Sequence, residues 1–262
     1  MIRLNSVGYS ANALGGAGGP LAVLIIAIVA AELGKAVSKE TKVDILVTPL
    51  VTIFAGVGLS MLIAAPIGAA ASQVGTLIMW ATEQAPLVMG ILVSVIVGVA
   101  LTLPISSAAI CAALGLTGLA GGAAVAGCCA QMVGFAVMSY KENGVGGLVS
   151  QGLGTSMLQM GNIIKNPRIW IAPTLASAIT GPLATCLFHF EMNGAAVSSG
   201  MGTCGLVGQI GVYTGWVSDI AAGTKAAITP MDWVAMVLLC FVLPAVLSVV
   251  FCAVERKLGW IK

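Results

Sequence analysis

The feature that most limits this chain is a run of 57 residues, 84–140, without one charged side chain. As a helix that run would be about 85 Å long at 1.5 Å per residue, whereas roughly 20 residues cross the hydrocarbon core of a bilayer. The rest of the chain follows suit: its 262 residues hold 11 Lys and Arg and 9 Asp and Glu, and 59% are hydrophobic. The surface of an ordinary soluble domain needs about 25% charged residues overall, against 8% here. A soluble enzyme, a nucleic-acid binder and a disordered regulator are thereby excluded. The net charge of +2 is too small to draw in an electrostatic partner.

The apolar stretches are continuous and do not alternate with a period of two, so a β-barrel is disfavoured. The expected fold is an all-α integral membrane protein, a polytopic helical bundle of roughly six to eight segments, some of them broken or re-entrant. Residues 1–19 read as a polar, glycine-rich N-terminal segment and 20–262 as a single transmembrane domain. The first apolar run starts at Pro20, too late for a secretory signal, and reads as a retained membrane segment. Further segments are expected over 45–82, interrupted at Pro49 and Pro66, and within 84–140, as two spans or one span with a broken helix pair. After a loop at 141–168, spans follow at 169–190 and 233–254. Lys35, Lys39 and Lys42 form one basic cluster and Arg256, Lys257 and Lys262 another; the positive-inside tendency puts both in the cytoplasm, with Lys165 and Arg168 joining if a segment between 105 and 157 is re-entrant. Trp80, Trp170, Trp233 and Trp260 fall near segment ends, where an interfacial aromatic belt places them.

Little in the chain suits catalysis or a metal. The seven cysteines lie in apolar stretches without C-x-x-C spacing, and His189 is the only histidine. No paired-carboxylate, H-E-x-x-H or nucleophile-elbow motif is found, so no catalytic residue, metal or cofactor is assigned. Gly200, Gly202 and Gly205 match G-x-G-x-x-G literally, but no strand precedes them, and nucleotide binding is rejected.

The informative glycines are elsewhere. Gly118 and Gly122, four apart, fit close helix packing. Two clusters share a Gly-(Leu/Met)-Gly-Thr core: Ser150-Gln151-Gly152-Leu153-Gly154-Thr155-Ser156 and Ser198-Ser199-Gly200-Met201-Gly202-Thr203-Cys204-Gly205. Gly-x-Gly is a poor helix interior, at nearly 1 kcal/mol per glycine. Between apolar flanks it predicts non-helical backbone at membrane depth, which is tolerated where protein or a wet cavity satisfies the freed amides. Transporters build midplane sites from such breaks; interfacial loops are the plainer alternative. The polar residues around the breaks, Gln151, Thr155, Gln159, Asn162, Ser199, Thr203 and Gln209, are candidate substrate-binding groups. His189 and Glu191 join them, because a carboxylate accepts paired hydrogen bonds from adjacent sugar hydroxyls and an imidazole can donate or accept beside it. For Glu32 an interfacial pair with Lys35 is the simpler reading, and Lys165 and Arg168 read as interfacial anchors.

The stretches 102–144, 147–185 and 198–211 together resemble the enzyme IIC-like family of the bacterial sugar phosphotransferase system, in particular its perfringolysin-regulator-like branch. The resemblance covers roughly residues 20–262. It implies a multi-pass permease subunit of the bacterial inner membrane that moves a sugar while separate IIB and IIA proteins carry the phosphoryl group, set in membrane lipid and paired as a homodimer. Members of the family are usually longer at the N-terminus, and Gly161 stands where Q-M-P-N has proline. A secondary transporter or channel for another small solute, and a membrane regulatory protein without transport, remain open as alternatives.

Overall fold

The computed structural model describes residues 19–38 and 44–261. The polar lead-in before Gly19, and Lys39, Lys42 and Lys262 of the basic clusters, lie outside the described residues. Eleven α-helices follow in order: α1 (Gly19–Val37), α2 (Asp44–Gln84), α3 (Pro86–Thr102), α4 (Ser107–Leu114), α5 (Gly118–Met138), α6 (Tyr140–Val149), α7 (Met160–Lys165), α8 (Ile171–Pro182), α9 (Val207–Ala222), α10 (Pro230–Val237) and α11 (Leu243–Lys257). Among the described residues there is no strand, only an isolated antiparallel bridge between Gly118 and Met192. Among the described residues four helical stretches are long and apolar enough to cross a membrane: Asp44–Gln84, Gly118–Met138, Pro167–Leu187 and Pro230–Lys257. The chain is an all-α polytopic membrane protein.

Two compact units divide it, residues 1–74 and 75–262. In the first, α1 packs on the opening part of α2 through Ala22, Ile26 and Ala64. Glu32 and Lys35 form the expected ion pair, 3.6 Å apart and exposed. The interruptions expected at Pro49 and Pro66 are absent: α2 runs through both prolines for 41 residues. Pro49 sits in the second turn, where the Thr52 hydroxyl donates to the Thr48 carbonyl at 2.9 Å. Pro66 withdraws one amide from the ladder and frees the Leu62 carbonyl without ending the helix.

The second unit is organised around α5, a helix rich in alanine, glycine and cysteine whose apolar window is 89% buried. Small side chains let neighbouring backbones close in where lipid offers no hydrophobic drive for helix association. α3, α8 and α11 pack directly on α5. At Gly122 an added Cβ would collide with the Phe190 carbonyl, so the close neighbour is the non-helical 188–190 segment rather than the helix expected there; Gly118, the first residue of α5, has a left-handed backbone, φ +61°. At the centre, fully buried Gln131 spends its whole amide on three elements. Its Oε1 accepts from Trp170 Nε1 at 3.0 Å and from Thr102 Oγ1 at 3.3 Å. Its Nε2 donates to Thr174 at 3.2 Å and to Ser177 at 3.5 Å. A satisfied polar network of this kind fixes helix register.

α5 also supplies a depth scale, since its 21 residues span about 31 Å, the thickness of the hydrocarbon core. At one end Gly118 pairs with Met192; at the other the Met138 carbonyl accepts from Arg256 Nη2 at 3.3 Å. Pro167–Leu187 and Pro230–Lys257 run at least the same length beside it, whereas other segments enter from one end and turn back. α3 starts at the Gly118 end, where Thr185 donates to the Pro86 carbonyl at 2.7 Å, and stops at Thr102 before Leu103-Pro104. Ser106 then caps α4 by accepting from the Ala109 amide at 3.1 Å, and α4 runs back. The interval 84–140 therefore holds one full span, α5, and a shorter helical pair. Residues 141–168, expected as a loop, contain α6 and α7, which bend at the Met138 end around the first Gly-x-Gly-Thr cluster.

Candidate functional site

The two glycine breaks meet. From the Gly118 end, residues 195–206 run inward as short 3-10 turns: Ser199 donates to the Leu116 carbonyl at 2.7 Å and Ser107 donates to the Gly200 carbonyl at 2.6 Å. Gly202 then lies against Cys128 and Cys129, the middle of α5, with φ +53° and no room for a Cβ. α9 carries the chain back out. From the opposite end, α6 leads into a π-helical turn at Ser150–Gly154 and an extended residue, Thr155. The Thr203 hydroxyl donates to the Gly152 carbonyl, tip to tip. Freed backbone groups are thus satisfied within the protein, as non-helical chain at this depth requires.

Most of the candidate polar residues serve this junction. Gln151 Nε2 donates to Ser139 Oγ at 3.1 Å, Gln159 Nε2 to Gln151 Oε1 at 2.8 Å, and Asn162 Nδ2 to Gln159 Oε1 at 2.9 Å, a chain of amides at the Met138 end. Thr155 caps the following turn by accepting from the Met157 amide at 3.2 Å. Gln209, at the start of α9, points its Nε2 at Cys129 Sγ, 3.2 Å away, and leaves a buried Oε1 without a partner. Gln159 and Asn162 also line a cavity of about 220 Å³ beside Arg256.

His189 and Glu191 are placed apart from these, at the Gly118 end, in a larger cavity of about 550 Å³. Asn193 organises its floor: Nδ2 donates to Glu191 Oε2 at 3.0 Å and to Asp219 Oδ2 at 2.8 Å, while Oδ1 accepts from the Gly118 amide at 3.1 Å. Across the cavity Lys225 pairs with Asp232 at 2.8 Å and lies 5.6 Å from the centre of the Trp216 ring. Asp232 is held in a capping box with Thr229 at the start of α10. Trp216, 5% exposed, is braced edge-on by Trp233 at 5.6 Å, and Tyr213 stands 5.9 Å from Trp233. His189 takes a left-handed backbone, φ +44°, a strained conformation for a side chain of its size and one that concentrates at functional positions. The volume falls in the range of small-molecule sites. Three carboxylates, a planar amide and an aromatic wall can together hold a ligand rich in hydroxyl groups.

Asn193, Trp216, Asp219, Lys225 and Asp232 carry no motif. In the sequence the charged ones read as loop punctuation between apolar runs, and only the return of α9 beside the 188–194 segment gathers them. Among the described residues no cluster of three or more His, Cys, Asp or Glu side chains could hold a metal ion.

A largely buried central helix, further membrane-length helices and a polar cavity at one end define a polytopic α-helical membrane protein. The family model described as "Phosphotransferase system, EIIC" matches residues 5–262, and the chain belongs to that family. No curated protein and no solved structure matches it.

Proposed function

We propose that this chain is the sugar-translocating subunit of a phosphoenolpyruvate-dependent phosphotransferase system in the bacterial inner membrane, and that the Glu191–Asp219–Asp232 cavity is its outward sugar site. The cavity's chemistry carries the reading. Carboxylate oxygens accept paired hydrogen bonds from neighbouring hydroxyls, and the buried Trp216 gives the cavity an apolar side. The basic end, with Lys165, Arg168, Arg256 and Lys257, faces the cytoplasm by the positive-inside tendency, where separate IIB and IIA proteins would supply the phosphoryl group. Thr203 on Gly152 is then the barrier between the outward cavity and the smaller one at Arg256. Alternating access consists of parting those tips on the inner side while the outer cavity closes, with Gln151, Thr155, Gln159, Asn162, Ser199 and Gln209 lining the route.

Uptake of labelled sugar by cells expressing the protein tests this. Uptake is expected to need the intact phosphoryl relay and to fall at least tenfold in Glu191→Gln and Asp219→Asn, each of which loses a charge-assisted hydrogen bond. Equal uptake in cells lacking the relay would reject the phosphotransferase mechanism. Unchanged uptake in both variants would reject the site.

A further inference from the structure

The cavity at the opposite end is built differently from the sugar cavity. Its polar lining is Ser139, Glu142, Asn143, Gln159, Asn162 and Arg256, and its cation is unevenly satisfied. Arg256 Nη2 donates to Glu142 Oε1 at 2.6 Å and to the Met138 carbonyl at 3.3 Å. Arg256 Nε is buried and makes no hydrogen bond of good geometry; the guanidinium's other neighbour is the Cys252 thiol, a weak acceptor that also lines the cavity. A guanidinium presents its donors as a planar fork matched to two oxygens of one anion, and here one side of that fork is engaged while the neighbouring donor goes unused. The Arg256 side chain is 30% exposed, but its Nε–H is shielded from water, and a shielded donor left unpaired is costly unless something completes it.

Glu142 does not complete it. It meets Arg256 through a single oxygen, and its side chain is 47% exposed, so it is a displaceable counter-ion rather than a buried partner. Around the fork stand side-chain amides, and that of Asn143 makes no hydrogen bond within the described residues, leaving N–H donors for further oxygens of the same ligand. An anion with three or more oxygens on one tetrahedral centre suits this arrangement better than a planar carboxylate.

We propose that this cavity binds a phosphate ester, with Arg256 as its fork and Glu142 as the internal group it displaces. The assignment of the cavity to the cytoplasmic end rests on the function proposed above, and two sources share the chemistry: a sugar phosphate formed at that end, or the headgroup of an anionic phospholipid.

The test uses the full chain purified in a polyoxyethylene detergent, which carries neither phosphate nor sugar. Inorganic phosphate and glucose 6-phosphate are titrated calorimetrically, with glucose as the uncharged control and phosphatidylglycerol added in a parallel arm. Arg256→Gln is expected to weaken binding of the phosphate probes by about tenfold or more, the loss of a charge-assisted fork. Glu142→Gln is expected to tighten it by about two- to fivefold, because the competing surface pair is gone. Arg256-dependent binding of the soluble probes supports the site with the sugar phosphate as its source; Arg256-dependent binding of phosphatidylglycerol alone supports the site with the headgroup as its source. Binding of neither, or equal affinity in Arg256→Gln, overturns the proposal. Should Arg256→Gln fail to fold, an affinity unchanged in Glu142→Gln overturns it independently. Phosphate binding that persists in a protein unable to take up sugar would remove the transport reading and leave the anion site standing.

Discussion

Asn193 shows how much one side chain can hold. Its amide keeps Glu191 and Asp219 at 3.0 and 2.8 Å and ties both to the first turn of α5 through Gly118. Without those N–H groups the two carboxylates face one another with nothing between them to bond. Asn193→Ala is expected to cost about 2 kcal/mol, the worth of hydrogen bonds to charged partners, read as a lower melting temperature of the purified protein together with loss of sugar uptake. Asn193→Asp should be worse in both, since it adds a third negative charge. Gly202 is limited by space and by backbone at once: a Cβ would come within 2.8 Å of the Cys128 carbonyl carbon, and its φ of +53° is left-handed. Gly202→Ala is expected to destabilise by about 1–3 kcal/mol or more. Gly161→Ala, in open space within α7, should be neutral or stabilising by up to about 1 kcal/mol. Parallel thermal melts of the two variants separate a constrained glycine from a tolerated one; equal melts would refute the tip geometry.

At the scale of elements, the two interrupted segments act as a pair because each ends where the other begins. Thr203→Val keeps the shape of the side chain but removes the Thr203 hydroxyl that donates to the Gly152 carbonyl, a loss of about 1 kcal/mol, and the tips should part more often. Cys204 is the next residue and half-buried, so peptide-mapped alkylation of Cys204 is expected to rise several-fold in Thr203→Val; an unchanged rate would mean that the tips are held by packing alone. The breaks themselves were legible, because Gly-(Leu/Met)-Gly-Thr between apolar flanks is a pattern that a continuous helix would disfavour. The run through Pro49 and Pro66 was not, because a proline's cost depends on whether neighbours re-satisfy the carbonyl it frees, and that is a tertiary fact. Nor could spacing reveal that Gln151, Gln159 and Asn162 bond to one another in a row, or that Asp219 and Asp232 converge on Glu191 from α9 and α10. Hydropathy fixes which segments are buried in lipid; it carries no signal for which polar ends share a cavity.

Across the whole of residues 75–261 the charges separate by end. Glu83, Glu191, Asp219 and Asp232 lie at the end of the large cavity with Lys225 alone to balance them, whereas Lys141, Lys165, Arg168, Arg256 and Lys257 lie at the other with Glu142 and Glu255. The basic end is one surface: Asn166 Nδ2 donates to the Trp260 carbonyl at 2.9 Å and Arg168 stacks over the Trp260 ring at 5.6 Å, so the turn before α8 and the close of α11 share a side. That placement brings Lys165 and Arg168 to the same end as Arg256 and Lys257, which the re-entrant course of α6 and α7 makes geometrically consistent. Because lysine and arginine near segment ends set orientation while acidic residues contribute little, the proposed function predicts the Arg256 end in the cytoplasm and the large cavity facing outward, where a sugar would arrive. Thr224 and Leu258 are exposed at the two ends and report this directly. With a membrane-impermeant maleimide on intact cells and peptide mapping, Thr224→Cys is expected to be labelled at once and Leu258→Cys only after permeabilisation. The reverse pattern would put the large cavity in the cytoplasm, and the carboxylates around Asn193 would then have to receive a product rather than select a substrate.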